Sequence, residues 1–264
     1  MSSNYRSILN AQGSSFASTN SFTFDGNDDF VEVADNSNLS FGNGSTDSPF
    51  SISCWVNVSN FTNSHILFKK RGPSGAFYNW EYDTYISNDG AIHFRLFDLA
   101  SVVRVGRKTN TGLITTNTWN NIVFTYDGQG GSTAYNGIKI YLNGIRVDSV
   151  NLSNNTYVAM HNLSSSVEIG ENTAGNIDEV SLFNTALTDG GVSVGQPAGG
   201  QIAEVYNSGV PNDLTSLSPV SWWRMGEAAN YAGGEWTLVD QGSGGNNGSS
   251  LTLPPEAIST DVPT

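Results

Sequence analysis

Short runs of alternating apolar and polar residues, many closed by Asn-Gly or Asp-Gly, constrain this chain more than any other feature. In residues 51–58, Ile52, Cys54, Val56 and Val58 take every second position, which sets them on one face of a half-buried strand. Ile122, Phe124 and Tyr126 repeat the pattern before Asp127-Gly128, and Ile138, Ile140 and Leu142 repeat it before Asn143-Gly144. Residues 85–86 and 92–96 flank Asn88-Asp89-Gly90. These turn residues tolerate the positive φ that tight hairpins need, so antiparallel hairpins are encoded locally. Further strands are predicted over 23–33, 65–69, 102–106, 167–170 and 177–183. A strong helical stripe is missing; the nearest is 200–208, with Ile202, Val205 and Tyr206, enough for about two turns. Many short strands with Gly and Asn turns predict an all-β fold, a two-sheet antiparallel jelly-roll sandwich. Cys54 sits in an inward row and reads as a small core hydrophobe rather than a reactive thiol.

Charge narrows the function. The chain has 11 Lys and Arg against 24 Asp and Glu, a formal charge of −13. A nucleic-acid binder needs a basic face to release counterions, so that class is excluded as an expectation. A single cysteine rules out an internal disulfide framework. The opening residues lack a basic segment followed by an apolar run, so no secretory leader is expected. Nor does any apolar stretch reach the length of a membrane span. Residues 1–20 read as an N-terminal arm, 21–208 as the sandwich, and 209–264 as a strand segment and tail packing on the sandwich or on a neighbour. Both ends carry little apolar surface to offset the entropy of ordering. They are therefore expected to order along other subunits, where Leu251, Leu253 and Ile258 would be buried.

Several longer runs are familiar. Phe24-Asp25-Gly26-Asn27-Asp28-Asp29-Phe30-Val31-Glu32-Val33 and Phe50-Ser51-Ile52-Ser53-Cys54-Trp55-Val56 resemble strands of laminin-G-like jelly rolls in the concanavalin A-like lectin/glucanase superfamily. Trp119-Asn120-Asn121-Ile122-Val123-Phe124-Thr125-Tyr126-Asp127-Gly128, followed by Ile140-Tyr141-Leu142-Asn143-Gly144, resembles its central hairpin. Residues 175–187, from Gly175 through Asp178 and Glu179 to Leu187, resemble its closing strand. Trp222-Trp223-Arg224-Met225-Gly226-Glu227 and the polar stretch 240–248 follow the last strand instead of preceding the first. That placement resembles virion proteins of marine bacteriophages.

The resemblance implies two candidate sites. In many members a structural calcium joins the first strand to the last, which points to Asp25 and Asp178 as carboxylate ligands and Gly26 as a carbonyl ligand. The alternative is that Asp25 caps a turn and Asp178 accepts backbone N–H bonds. Trp80 and Tyr82, with Tyr78, would offer a face for stacking sugar rings, unless they anchor the core or an interface. The superfamily's glycosidases carry three acids on one strand face; Glu81 and Asp83 match two, and the third is absent. Asp178 and Glu179 are adjacent, so they are expected on opposite faces and not as a dyad. His65, His93 and His161 are scattered, and nucleophile-elbow, phosphate-loop and zinc spacings are lacking. The expectation is a non-enzymatic virion structural protein, a capsid decoration or tail fibre, assembled in the host cytoplasm and displayed on the virion surface. Its partners would be other virion proteins, copies of itself, most simply as a trimer, and surface glycans. A free carbohydrate-binding lectin is the alternative, followed by a polysaccharide-cleaving glycosidase.

Overall fold

The alternating runs pair into two stacked antiparallel sheets in the computed structural model, which describes residues 16–72, 79–99 and 103–264. The strands are β1 (Ser21–Asp25), β2 (Val31–Val33), β3 (Phe50–Val58), β4 (His65–Arg71), β5 (Trp80–Ile86), β6 (Ile92–Asp98), β7 (Val103–Lys108), β8 (Asn120–Tyr126) and β9 (Ile138–Leu142). They continue with β10 (Ile145–Arg146), β11 (Val150–Leu152), β12 (Val167–Ile169), β13 (Ala174–Phe183), β14 (Ser221–Trp223), β15 (Ala229–Ala232), β16 (Glu235–Leu238), β17 (Gly248–Ser250) and β18 (Ile258–Ser259). The first sheet has the order β10-β9-β8-β3-β13-β1-β18, with β14 also on β13. The second has the order β11-β7-β6-β5-β4-β12-β2-β17-β16-β15.

The inward rows meet between the sheets. Ile52, Cys54 and Val56 of β3 and Ile122, Phe124 and Tyr126 of β8 pack with Tyr82, Phe94 and Leu96 from the second sheet. Each such side chain contributes about 1.5–3 kcal/mol when fully buried. Burial pushes the Cys54 thiol up to about 12, in keeping with an inert core residue.

Two local expectations change, and two hold. The run 23–33 is two strands in different sheets, because the chain crosses over at Gly26, whose φ is 86°. Asp127-Gly128 does not close a tight hairpin; residues 127–137 separate β8 from β9. Asn143-Gly144 does, with φ of 50° and 73°, and leads β9 straight into β10. The weak helical stripe forms α1 (Gly200–Tyr206).

That helix decides which sheet back stays open. Ile202 and Val205 pack with Val123, Tyr141, Phe183 and Trp222 in a second, smaller core on the back of the first sheet. No comparable apolar layer covers the back of the second sheet among the described residues.

Residues 209–264 contribute to both sheets. β14 pairs with β13, β17 with β2, and β18 with β1. Trp223 is fully buried and donates its indole N–H to Asn246 O at 2.7 Å. Trp236 donates to Pro254 O, and Leu253 is buried, so the tail runs along its own chain. Leu251, expected to be covered, is 77% exposed. The part of the N-terminal arm before residue 16 lies outside the described residues.

Candidate functional site

A one-residue irregularity in β5 rearranges the predicted sugar face. Lys70 lies opposite Tyr82, but Arg71 lies opposite Trp80, so Glu81 is an extra residue in the ladder. Such a bulge breaks the alternation that puts i and i+2 on one side. Tyr82 turns into the inter-sheet core, where its hydroxyl donates to Leu39 O at 2.7 Å. Trp80 lies outside that core, beside Phe97, with the Arg71 guanidinium 4.5 Å from its ring centroid. The predicted pair is therefore not a shared stacking surface, and Tyr78 lies outside the described residues. Glu81 and Asp83 are separated for the same reason. Glu81 pairs with Lys70 at 2.9 Å and accepts from Ser40 and the Leu163 N–H. Asp83 accepts from Arg95 Nε at 2.7 Å and lies 3.5 Å from Arg71 Nε.

What assembles on that back is a cluster the sequence reading did not single out. Asp83 is opposite Arg95, Tyr85 opposite His93, Phe97 opposite Arg104, and His93 opposite Lys108. Tyr85 is half-buried, with His93 stacked on it at 4.4 Å and the Arg95 guanidinium over it at 4.4 Å. Its ring is thus already engaged by protein. Burial raises the Tyr85 phenol and Asp83 adds to it, while Arg95, then Arg104 and Arg71, pull it back. Burial, then Arg95 and Lys108, push His93 down to about 4, so it is neutral at pH 7. Arg104 is exposed and Lys108 half-buried, and among the described residues neither side chain makes an ion pair or a hydrogen bond, although Asp89 lies near enough to Lys108 to feel its charge. The available signal was the every-second spacing of His93, Arg95 and Phe97, and Arg104 and Lys108 four apart on one side of β7, in a cation-poor chain.

The predicted calcium site is not formed. β1 and β13 are antiparallel with Asp25 opposite Ala174, which leaves Asp178 four residues further along, about 13 Å away at ordinary strand rise. Asp25 instead caps the crossover turn, accepting from Asn27 N at 2.8 Å, while Gly26 O accepts from Asn63. Asp178 accepts from Ser18 Oγ at 2.5 Å and from the Glu179 N–H at 2.8 Å. These residues do not fit a shared ion. Asp25→Ala and Asp178→Asn are expected to change stability additively, within about 0.5 kcal/mol, as independent sites do. A double-mutant cycle by urea denaturation checks this; a larger coupling would restore the shared site.

Asp178 and Glu179 do form a cluster, against expectation. The ladder shifts register between Asp178 and Ser181, and Glu179 has a φ of 49°. This bulge brings both acids to one place, with Glu227 joining them so that the three carboxylates lie within 4.8 Å of one another. Arg224 pairs with Glu179 at 3.0 Å and donates to Ala17 O at 2.7 Å. Glu227 Oε1 accepts the Thr19 and Asn20 N–H groups, so the cluster clasps residues 17–20. Burial and then the Glu179 charge hold the Asp178 carboxyl well above its usual range. Burial lifts Glu179 to about 7 against the pull of Arg224.

A cleft of about 440 Å³ lies at the back of the first sheet, beside Thr125, Asp127, Lys139 and Asp189. Its cation is closed on its acid, Lys139 Nζ to Asp189 Oδ2 at 2.9 Å.

Residues 25–193, more than half of the chain, match the family Laminin_G_3, described as the concanavalin A-like lectin/glucanases superfamily. No curated protein matches the chain. Among solved structures, a candidate carbohydrate binding protein from Bacteroides ovatus is similar over 94% of this chain, at 16% identity and a TM-score of 0.55. The match spans 62% of that protein's own length. The CBM40 of Ruminococcus gnavus IT-sialidase, bound to α2,3-sialyllactose, matches 66% of this chain and 95% of its own, at 11% identity and a TM-score of 0.45. The botulinum neurotoxin serotype C1 binding domain matches 53% and 34%, at 17% identity and 0.37. At these identities the likeness is one of fold.

Proposed function

The chain belongs to the concanavalin A-like lectin/glucanase superfamily, and we propose that it is a non-enzymatic carbohydrate-binding module whose ligand face is the back of β4–β7. The observation that carries this reading is the asymmetry of the two sheet backs. α1 and its apolar neighbours cover one beside the Lys139–Asp189 cleft, while the other presents Arg71, Tyr85, Arg95, Arg104 and Lys108. A layer of polar side chains held rigidly on strands is what a saccharide site requires. Catalysis is not part of the reading. The two acids of the glycosidase-like run close on Lys70 and Arg95, and Asp178 and Glu179 are buried beneath Trp222, Arg224 and residues 17–20. A glycan array on the purified chain, with reducing-end assays on β-glucan, agar and carrageenan, tests both halves. Binding without turnover is expected. Turnover abolished by Glu81→Gln, or an array without any signal, would overturn it.

The finer placement is a virion surface, as capsid decoration or tail appendage, assembled in the host cytoplasm with other virion proteins and as a homo-oligomer, most simply a trimer. It rests on the resemblance of residues 222–227 and the following polar stretch to marine phage virion proteins. Mass spectrometry of purified particles checks it. Hundreds of copies would mark a decoration, a few tens an appendage, and absence from particles would leave a free lectin.

A further inference from the structure

Charge on the back of β4–β7 runs against the rest of the molecule. Lys69, Arg71, Arg95, Arg104 and Lys108 are five of the chain's 11 cationic residues; Asp83 is set among them, and Glu168 and Glu171 close on Lys69 at 2.8 and 2.7 Å. With His93 neutral, these five cations stand against Asp83, Glu168, Glu171 and Asp89 near Lys108, a surplus of one positive charge on a chain of net −13. Asp83 closes on Arg95 and Arg71 at the floor, which holds those two guanidinium groups in place. The Arg104 and Lys108 side chains rise beside them without an ion pair or hydrogen bond among the described residues.

From this geometry we infer that the ligand is an acidic saccharide, whose carboxylate or sulfate ester is taken by Arg104 and Lys108 above the Asp83–Arg95 floor. The inference rests on the reading of this face as the sugar site. The aromatic rings point the same way. Neutral sugars are commonly held by stacking on a free ring, but Tyr85 is taken by His93 and Arg95, and Trp80 by Arg71 and Phe97. Recognition therefore falls to charge-assisted hydrogen bonds, in which a planar guanidinium matches a two-oxygen anion. The positive field is also short. Beyond a Debye length of about 8 Å the acidic remainder of the chain is screened from it, but a dense polyanion running off the patch would meet that remainder directly. An acidic sugar set among neutral ones suits the patch better than a polysulfate or a nucleic acid.

The test is titration calorimetry on the full chain with four probes. These are a uronic-acid oligosaccharide, a sulfated galactan oligosaccharide, its desulfated counterpart, and oligothymidylate. At least one acidic probe should bind, and which one tells carboxylate from sulfate. The desulfated probe should bind at least tenfold more weakly than the sulfated one if sulfate is the group. Raising NaCl from 50 to 300 mM should weaken binding severalfold, and R104A/K108A should weaken it tenfold or more with the melting temperature unchanged. R104K should recover part of the loss. Equal binding of neutral and acidic sugars would overturn the acidic class while leaving the sugar face standing. Acidic binding untouched by R104A/K108A would overturn the site. Oligothymidylate binding more tightly than either saccharide would replace it with a nucleic-acid face. Silence from every saccharide would remove the carbohydrate reading itself.

Discussion

Truncation after Ser218 is expected to leave a chain that no longer folds cooperatively. The cut removes β14–β18 and takes Trp223, Met225, Trp236, Leu238 and Leu253 out of the main core. At about 1.5–3 kcal/mol for each large apolar side chain, the loss is of the order of 10 kcal/mol. Domains of this kind hold about 5–15 kcal/mol in all. The cut also strips β13 and β2 of partners and opens new strand edges. A milder version isolates the largest contributor. Trp223→Ala should cost about 3–5 kcal/mol, since the indole is fully buried and its N–H is bonded to Asn246 O. Circular dichroism melts and calorimetry decide the matter. A truncated chain with a cooperative transition within a few degrees of the full chain would show that residues 219–264 are an appendage after all.

The outcome bears on what could be read in advance. β3, β8, β9 and α1 were legible because each carries its own periodicity and needs no partner to declare its inward face. The tail was not, because its apolar residues are spaced singly and acquire meaning only opposite β1, β2 and β13. The site was misread at two bulges. An extra residue at Glu81 turned Trp80 away from Tyr82, and the step at Asp178–Glu179 joined two acids that strict alternation keeps apart. Alternation carries no signal for a bulge, which is set by what the partner strand needs. The shared Asp25–Asp178 site was misplaced for a different reason: the register of β1 on β13 places Asp25 opposite Ala174, and no local pattern specifies that pairing across some 150 residues of chain. The cationic face was within reach, since Lys69 and Arg71, Arg95, and Arg104 and Lys108 all fall on one parity of their strands, which stands out where charge is scarce.

The carboxylate clasp should give the protein an unusual alkaline instability. Asp178, Glu179 and Glu227 share one guanidinium, Arg224, and sit where β1 and β14 approach each other along β13. Full ionisation leaves two negative charges uncompensated in a buried place, so protons are retained there. The folded-state values of Asp178 and Glu179 are raised, so the folded chain binds more protons than the unfolded one above the ordinary carboxylate range. Their contribution is therefore present at acid pH and is lost as pH rises through about 7, the value for Glu179. A rise from the ordinary 4.5 to about 7 corresponds to roughly 3 kcal/mol for Glu179. His65 and His93 are both depressed, so they oppose this trend only below about pH 6.5, where an unfolded histidine takes its proton. The window from pH 6.5 to 8.5 isolates the carboxylates. Urea midpoints should fall as pH rises from 6.5 through about 7 and level off once Glu179 has ionised, and exchange protection of residues 17–20 should fall with them, since Glu227 and Arg224 hold that segment. Asp178→Asn keeps the shape, removes one charge and relieves the crowding. It should flatten the fall and raise stability at pH 8.5. A wild-type midpoint that holds constant from pH 6.5 to 8.5, or a variant that falls as steeply, would mean that the cluster is already fully ionised and that Arg224 balances it unaided.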